Sequence, residues 1–377
     1  MKIYFHAVIF FLSVSFSIST LAQTINYDPG NGLNISSPGS NWNFLFSGYI
    51  NTMYSFQNIN QNDAVQNSFS VHRARLDLEF DYNKKYNAFF EFDAAGQRTA
   101  MVLAQVKVTL FKKNYLMAGK FIDPFSPENN RSTSRLTSVE RYSGLNSIFL
   151  LPGLDTQFGL MFFGSTSKLN YYISIMNGNG EAGQNISENN DSKEITARLE
   201  YHTSDKFNFG ASVSAAKEQP QLLGLLDHTF YYFNYALIKG KRFGYLGNFE
   251  YKNNPILFRG EVFHYSFSND LSLTNQTKGF TGGYVEFGYF IFGNMENGFQ
   301  LIGRVETARY GKIIDEFKGP TILNSYLIGT NWLLDNIFSF QVNLIYEKAN
   351  RVSTDQRSRL FNKDNEVLLL STLQLRF

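Results

Sequence analysis

The sequence of 377 residues predicts an all-β fold: a transmembrane antiparallel β-barrel of about 16 strands with a long inward-folded third loop. Three observations predict it. Segments of about ten residues alternate apolar and polar side chains with period two, and turn residues end each segment. The connections alternate short and long, as periplasmic turns and external loops do in outer-membrane barrels. The chain also holds 38 Phe and 22 Tyr at a mean hydropathy of −0.23. A soluble protein would need a very thick core for so many rings, whereas a barrel sets them against lipid and its polar residues in a wet lumen.

Taken in order, Lys2 is followed by an apolar run from Ile3 to Ile18, and Thr20 and Ala22 stand at the −3 and −1 positions before Gln23. Residues 1–22 therefore read as a secretory signal peptide. The run falls short of the ~20 residues that span a bilayer, and Ser13, Ser15 and Ser17 interrupt it. Residues 23–42 are expected to form an N-terminal periplasmic segment and 43–377 an outer-membrane barrel, with 122–156 as a pore-constricting loop.

The strand VHRARLDLEFDY places Ala74, Leu76, Leu78, Phe80 and Tyr82 on one face and Arg73, Arg75, Asp77, Glu79 and Asp81 on the other. A face so densely charged needs water, which assigns it to the lumen and its apolar opposite to lipid. After Lys84-Lys85, Tyr86, Ala88, Phe90 and Phe92 oppose Asn87, Glu91 and Asp93. The same alternation recurs around Ile195–Tyr201 and Phe338–Glu347. Short links at Lys112-Lys113, Ser204-Asp205 and Asp335-Asn336 separate long ones at Gly178–Asp191, Asn269–Gly279 and Asn350–Lys363. A first count gives about seventeen strands, an odd number that bacterial single-chain barrels avoid. Taking Gln219–Lys241 as one external excursion, or as the tall upper end of a single strand, restores about sixteen. At the end of the chain Val367, Leu369, Leu373, Leu375 and Phe377 share a face, and a terminal aromatic on the apolar face of the last strand is an address for barrel insertion.

The stretch GKFIDPFSPENNRSTSRLTSVERY, Gly119–Tyr142, breaks this pattern, which resumes only near Gln157. Loops beyond ~15 residues without structure of their own are usually functional or disordered. This one carries Leu136, Val139, Leu145, Ile148, Phe149 and Leu150, too many apolar residues to lie in water, so it should pack on the inner barrel wall. It also carries Lys120, Arg131, Arg135 and Arg141. A cation in a narrowed lumen is poorly screened, because low-dielectric walls focus its field, and arginine engages oxyanions bidentately. Asp77, Glu79, Glu91 and Asp93 form an acidic lumen wall. From sequence alone they either pair with neighbouring arginines to stiffen that wall or set a transverse field across it, and both roles can coexist.

Other chemistry is poorly served. There is no cysteine, which excludes a disulfide scaffold and a thiol nucleophile. A net charge of +2 gives no bias toward nucleic acid, so any anion preference must be local. His6, His72, His202, His228 and His264 have no metal-ligand spacing and read as wall or interface residues. Tyr142-Ser143-Gly144 lacks the context of a nucleophile elbow. Neither an enzyme nor a cofactor is expected.

The strand VHRARLDLEF with Arg73 and Arg75, the segment Gly119-Lys120 followed by Pro124-Phe125-Ser126, then Ser132, Ser134, Leu136 and Glu140-Arg141, the return at Gly159–Gly164 and Gly260-Glu261 together resemble the phosphate-selective porin O and P family, in the style of its Bacteroidetes branch. The resemblance implies a barrel in the outer membrane, among lipid and lipopolysaccharide, usually as a homotrimer. It implies that the third loop narrows the pore and that Arg73, Arg75, Lys120, Arg131, Arg135 and Arg141 guide anions. The function it implies is passive diffusion of small solutes with a preference for anions such as phosphate or polyphosphate. The alternative is a barrel-based surface receptor or adhesin, with Phe230–Tyr235 as the docking surface. The place of the third loop discriminates them, inside for a porin and outside for an adhesin. An energy-coupled transporter is disfavoured, because the chain is too short for a plug and a 22-stranded barrel.

Overall fold

A computed structural model describes residues 24–36, 41–58, 65–96, 99–148, 156–178, 192–226, 232–268, 278–309, 322–350 and 364–377. The signal peptide expected at 1–22 lies outside them. The strands are β1 (Thr24–Asp28), β2 (Gly32–Ser36), β3 (Trp42–Asn58), β4 (Val65–Tyr82), β5 (Tyr86–Asp93), β6 (Ala100–Phe111), β7 (Asn114–Ile122), β8 (Thr156–Ser165) and β9 (Leu169–Met176). They continue with β10 (Glu194–Ser204), β11 (Phe207–Leu226), β12 (Tyr232–Asn253), β13 (Ile256–Phe267), β14 (Lys278–Gly293), β15 (Gly298–Arg309), β16 (Ile322–Leu334), β17 (Phe338–Ala349) and β18 (Asn365–Arg376).

From β3 onward each strand pairs antiparallel with the next, and β18 returns to β3 from Leu368↔Gln57 to Arg376↔Tyr49. The result is a closed antiparallel barrel of 16 strands. Closure satisfies every ladder internally and leaves no open edge in lipid. The C-terminus is locked by the exchange of two backbone hydrogen bonds between Phe377 and Gly48, 2.9 and 3.0 Å.

The alternation read from the sequence is the alternation of the wall. Phe80, Val106, Leu160, Ile173, Val262, Val285, Val305 and Leu375 are exposed on the outer face. Their inward neighbours, including Glu194, Thr196, Arg259, Glu286, Arg304 and Asn343, are buried. The difficulty in counting strands resolves at β11 and β12, which stay paired from Phe207↔Tyr251 up to Leu226↔Tyr232. Two strands thus rise together into one external excursion.

Two features break the simple pattern. β1 and β2 form a hairpin, and β2 joins β3 at Asn43–Phe46, beyond the part of β3 that β18 uses. Its five-residue strands are too short to reveal themselves by period, and the sequence reading assigned no strands there. In β4 the register slips between Asn51↔Arg73 and Thr52↔Val71, leaving His72 unpaired in the ladder. Such a bulge re-aims a side chain, and the imidazole reaches Glu140 of the third loop.

Candidate functional site

The third loop leaves β7 at Ile122 and crosses the lumen to the opposite wall. Its N-terminal part is shaped locally. The residue before Pro124 is held out of helical geometry, and Asp123, fully buried, accepts from the Phe125 amide at 3.2 Å. Burial, and after it the neighbouring Glu194, pushes the Asp123 carboxyl well above the usual range. Phe125 then packs on Tyr265, ring centroids 4.9 Å apart. A one-turn helix, Pro127–Asn130, follows with Ser126 as its cap and proline in its first turn, an arrangement that suits proline's missing N–H.

That turn is docked by one carboxylate of the wall. Glu261 on β13 accepts from the Glu128 amide at 2.6 Å and from Ser126 Oγ at 2.7 Å. Glu128, buried, accepts from Tyr284 Oη at 3.2 Å and lies 3.3 Å from Arg131 Nε and 3.8 Å from Arg259 Nη2. Burial alone would raise its carboxyl, but Arg259 and Arg131, with Arg304 and Arg141, hold it down at about 2. The charge continues around the wall through Arg259–Glu286 at 2.8 Å and Arg304–Glu306 at 2.6 Å. Arg259 also donates to Thr137 Oγ1 at 2.6 Å, and Arg304 donates to Ser138 Oγ. Buried charges of this kind are tolerable only when paired and hydrogen-bonded, and here the loop supplies the partners.

The middle of the loop is fixed by backbone acceptors and by packing. Ser134 O accepts from Gln374 at 3.2 Å and Arg376 at 3.0 Å, Leu136 O accepts from Gln341 at 2.9 Å, and Thr137 O accepts from Asn331 at 2.6 Å. Val139 sits in an apolar cluster with Met53, Ile302, Leu327, Ile345, Leu368 and Leu370 on the inner wall. Glu140 lies 3.0 Å from His72 Nε2. Its burial is overcome by His72 and then by Arg73 and Arg141, and its carboxyl stands at about 2. The return begins with Ser143, whose N and Oγ both donate to Glu306 at 2.7 Å. It opens the helix Ser143–Ile148. This helix lies against β14 where glycine meets glycine: a methyl group added at Gly282 would stand 2.4 Å from Phe263, and one at Gly144 would stand 3.4 Å from Gly282 Cα. Leu136, Val139 and Leu145 are all buried against the wall, while the side chain of Ile148 lies outside the described residues.

The loop therefore turns one face to the wall and leaves another, Arg131-Ser132-Thr133-Ser134-Arg135, at least partly open to water. Arg131 donates to Glu250 at 2.7 Å, and Arg135 to Asn336 at 2.5 Å. Lys120 and Arg141 are engaged otherwise. Lys120 is buried and donates to the Met101 carbonyl at 3.0 Å, and Arg141 donates to the carbonyls of Glu128, Asn129 and Arg131 at 2.7–3.1 Å. On β4 and β5, Arg75 pairs with Glu91 and, at 2.7 Å, with Asp93. Asn87 donates to Glu79 at 2.7 Å and Asp81 at 2.9 Å. Arg73 Nε and Asp77 Oδ1 have no hydrogen-bond partner among the described residues. Sequence reasoning missed the wall residues Glu286, Arg259, Arg304 and Glu306, and it noted Glu261 only for its resemblance to the family and not as a site residue. Each is an inward position with a charge, and only the fold shows which inward charges face the loop.

The family model of phosphate-selective porin O and P matches residues 46–230. Across that span the sequence matches the pattern of the porin O and P family. No curated protein matches its sequence. Among solved structures, this porin is similar to the anion-selective porin from Comamonas acidovorans, with a TM-score of 0.63 at 12% identity over 89% of this chain and 100% of that one. Pseudomonas putida OprB gives 0.64 at 8% identity over 89% and 94%. The trimer form of Vibrio cholerae OmpT, an outer membrane protein, gives 0.61 at 12% identity over 89% and 99%. The protein is an outer-membrane porin, and the family of the matching model is typically one of non-enzymatic channels.

Proposed function

We propose that this porin is a passive, non-enzymatic diffusion channel with a mild preference for small anions, assembled as a homotrimer. The observation that carries the reading is the fixed third loop, whose water-facing stretch holds two arginines and three hydroxyls and no carboxylate. Arg131 and Arg135 supply the positive side of the constriction, with Arg141 supporting the loop through its backbone carbonyls and Lys120 tied to the Met101 carbonyl of β6. Arg73 and Arg75 add positive charge on the inward face of β4. The carboxylates Asp77, Glu79, Glu91 and Asp93 oppose this field, and two of them are paired with Arg75. That balance favours a modest bias over exclusion of cations, and phosphate is one permeant oxyanion among several. Anion-preferring pores are built from such Lys/Arg linings.

A loop held inside by buried ion pairs supports the porin reading over a surface receptor. Of the aromatic segment considered for docking, Phe230 and Tyr231 and the side chains of the next four residues lie outside the described residues. The deciding measurement is the reversal potential in a KCl gradient across planar bilayers. The wild type is expected to prefer chloride, and Arg131→Gln with Arg135→Gln to lose that preference with single-channel conductance retained. An unchanged potential would overturn the anion preference and leave the channel.

A further inference from the structure

Below the third loop, five consecutive strands present one continuous inward row that the constriction does not use. Thr109↔Tyr115, Tyr115↔Phe163, Phe163↔Tyr172 and Tyr172↔Arg198 are paired across β6 to β10. The row faces the lumen, because Leu116, Leu160, Ile173 and Leu199, which alternate with it, are exposed on the lipid side. Its rings stack on one another: Tyr115 and Phe163 at 5.1 Å and 27°, Phe163 and Tyr172 at 6.1 Å and 7°. A cation closes each end, Lys107 Nζ at 5.8 Å from the Tyr115 ring and the Arg198 guanidinium at 4.0 Å from that of Tyr172. Met117 and Met161 extend the apolar surface beside it.

Arg198 is the unusual member. It is only 5% exposed, yet neither Nε nor Nη1 has a hydrogen-bond partner among the described residues. Glu200 Oε1 lies 3.4 Å from Nε, close enough to offset charge but without hydrogen-bond geometry. Buried donors left unmade are costly, and a guanidinium fixed against a ring is preorganised to take up an oxyanion. The row also has direction. Tyr115 comes two residues after Lys113 at the short-turn end, whereas Arg198 stands six residues before Ser204. With strands tilted by roughly 40° and spaced about 4.8 Å apart, the row climbs obliquely from the short-turn rim into the lumen.

We propose that this row is a subsite for amphipathic organic anions, taking the apolar part of an aromatic or aliphatic carboxylate along the ring edges and its carboxylate at Arg198. The proposal rests on the porin reading and deepens it. The ring faces are already occupied by one another and by the two cations, so the row offers an apolar shelf with charged ends and no free stacking platform for a neutral sugar. A small inorganic anion would use Arg198 and gain nothing from the rings.

The test uses the full mature protein in planar bilayers under KCl, with benzoate, acetate, benzyl alcohol and maltose as probes. Benzoate is expected to interrupt the current at a concentration about tenfold below that of acetate, a difference of about 1.4 kcal/mol, while benzyl alcohol and maltose do not interrupt it. Phe163→Ser with Tyr172→Ser should bring benzoate to the level of acetate, and Arg198→Gln should weaken both. Equal action of benzoate and acetate on the wild type overturns the proposal, as does block by either neutral probe or a benzoate preference that survives loss of the rings. The comparison on the wild type decides even where a variant fails to fold. Absence of any KCl channel would instead count against the porin reading.

Discussion

Glu261 does at the scale of one residue what the loop as a whole requires. A carboxyl that accepts from an amide and a hydroxyl at once (2.6 and 2.7 Å) satisfies two donors of the loop, and a buried donor left unmade typically costs ~1–3 kcal/mol. Glu261→Ala is expected to cost roughly 2–4 kcal/mol of loop docking and to show as larger, noisier single-channel currents, with the barrel still folded. Arginines of the loop should separate in the same way. Arg141→Ala removes the donor to three loop carbonyls and should disturb current stability, whereas Arg135→Ala should move the reversal potential and little else.

The loop carboxylates also set a pH window. Glu128 and Glu140 are held at about 2 in the fold, below the ~4.3 of a free glutamate. A depressed carboxyl binds more protons when released, so the contribution of these two groups is fully present above about pH 4.3 and is lost as pH falls through about 2, whereas Asp123, raised by burial, contributes with the opposite sign. Protease protection of the loop in the assembled porin should therefore persist at pH 5 and decline steeply toward pH 2. Loss beginning near neutrality would contradict the pairing.

At the scale of elements, the hairpin β1–β2 stands apart from the wall. β18 closes onto β3 at Tyr49–Gln57 without it, and β2 uses only Asn43–Phe46. Deleting residues 24–36 should leave a barrel that still shows heat-modifiable migration in SDS gels, with a small loss of thermal stability. The bulge at His72 has the opposite character, because it spends one ladder position to reach Glu140. A Gln there should keep the strand and weaken the loop contact.

At the scale of the molecule, a chain without cysteine allows single-cysteine scanning with no background. Cysteine at Val262, Val285 or Val305 should react with a lipid-restricted reagent, and cysteine at Asp77 or Glu79 should react only from water. The reverse pattern would refute the register of the whole barrel, since a slip by one residue exchanges the two faces. Chemical crosslinking in detergent should give a three-subunit species if the homotrimer proposal holds.

The sequence by itself determined the parts of this protein that depend on period. Leu76, Leu78 and Phe80 against Asp77 and Glu79, the short turns and the terminal Phe377 all follow from side chains that alternate between lipid and water, a local property of each strand, whereas the count of sixteen needed the pairing of β11 with β12. It also marked residues 122–156 as an insert too apolar to lie in solvent. What only the tertiary structure decided is which side chains meet. Glu261, Arg259, Glu286 and Arg304 lie more than a hundred residues from the loop they hold; Gly260-Glu261 stood out only as part of a family pattern, and nothing in the segments of the other three distinguishes them from other inward charges. The row from Tyr115 to Arg198 is likewise assembled from four strands, and each contributes one residue that looks ordinary in its segment. His72 was hidden for a related reason: a bulge breaks the period by which inward residues are recognised. Period is written along one strand, whereas contact across a lumen depends on closure and on the path of the loop, which no single segment encodes.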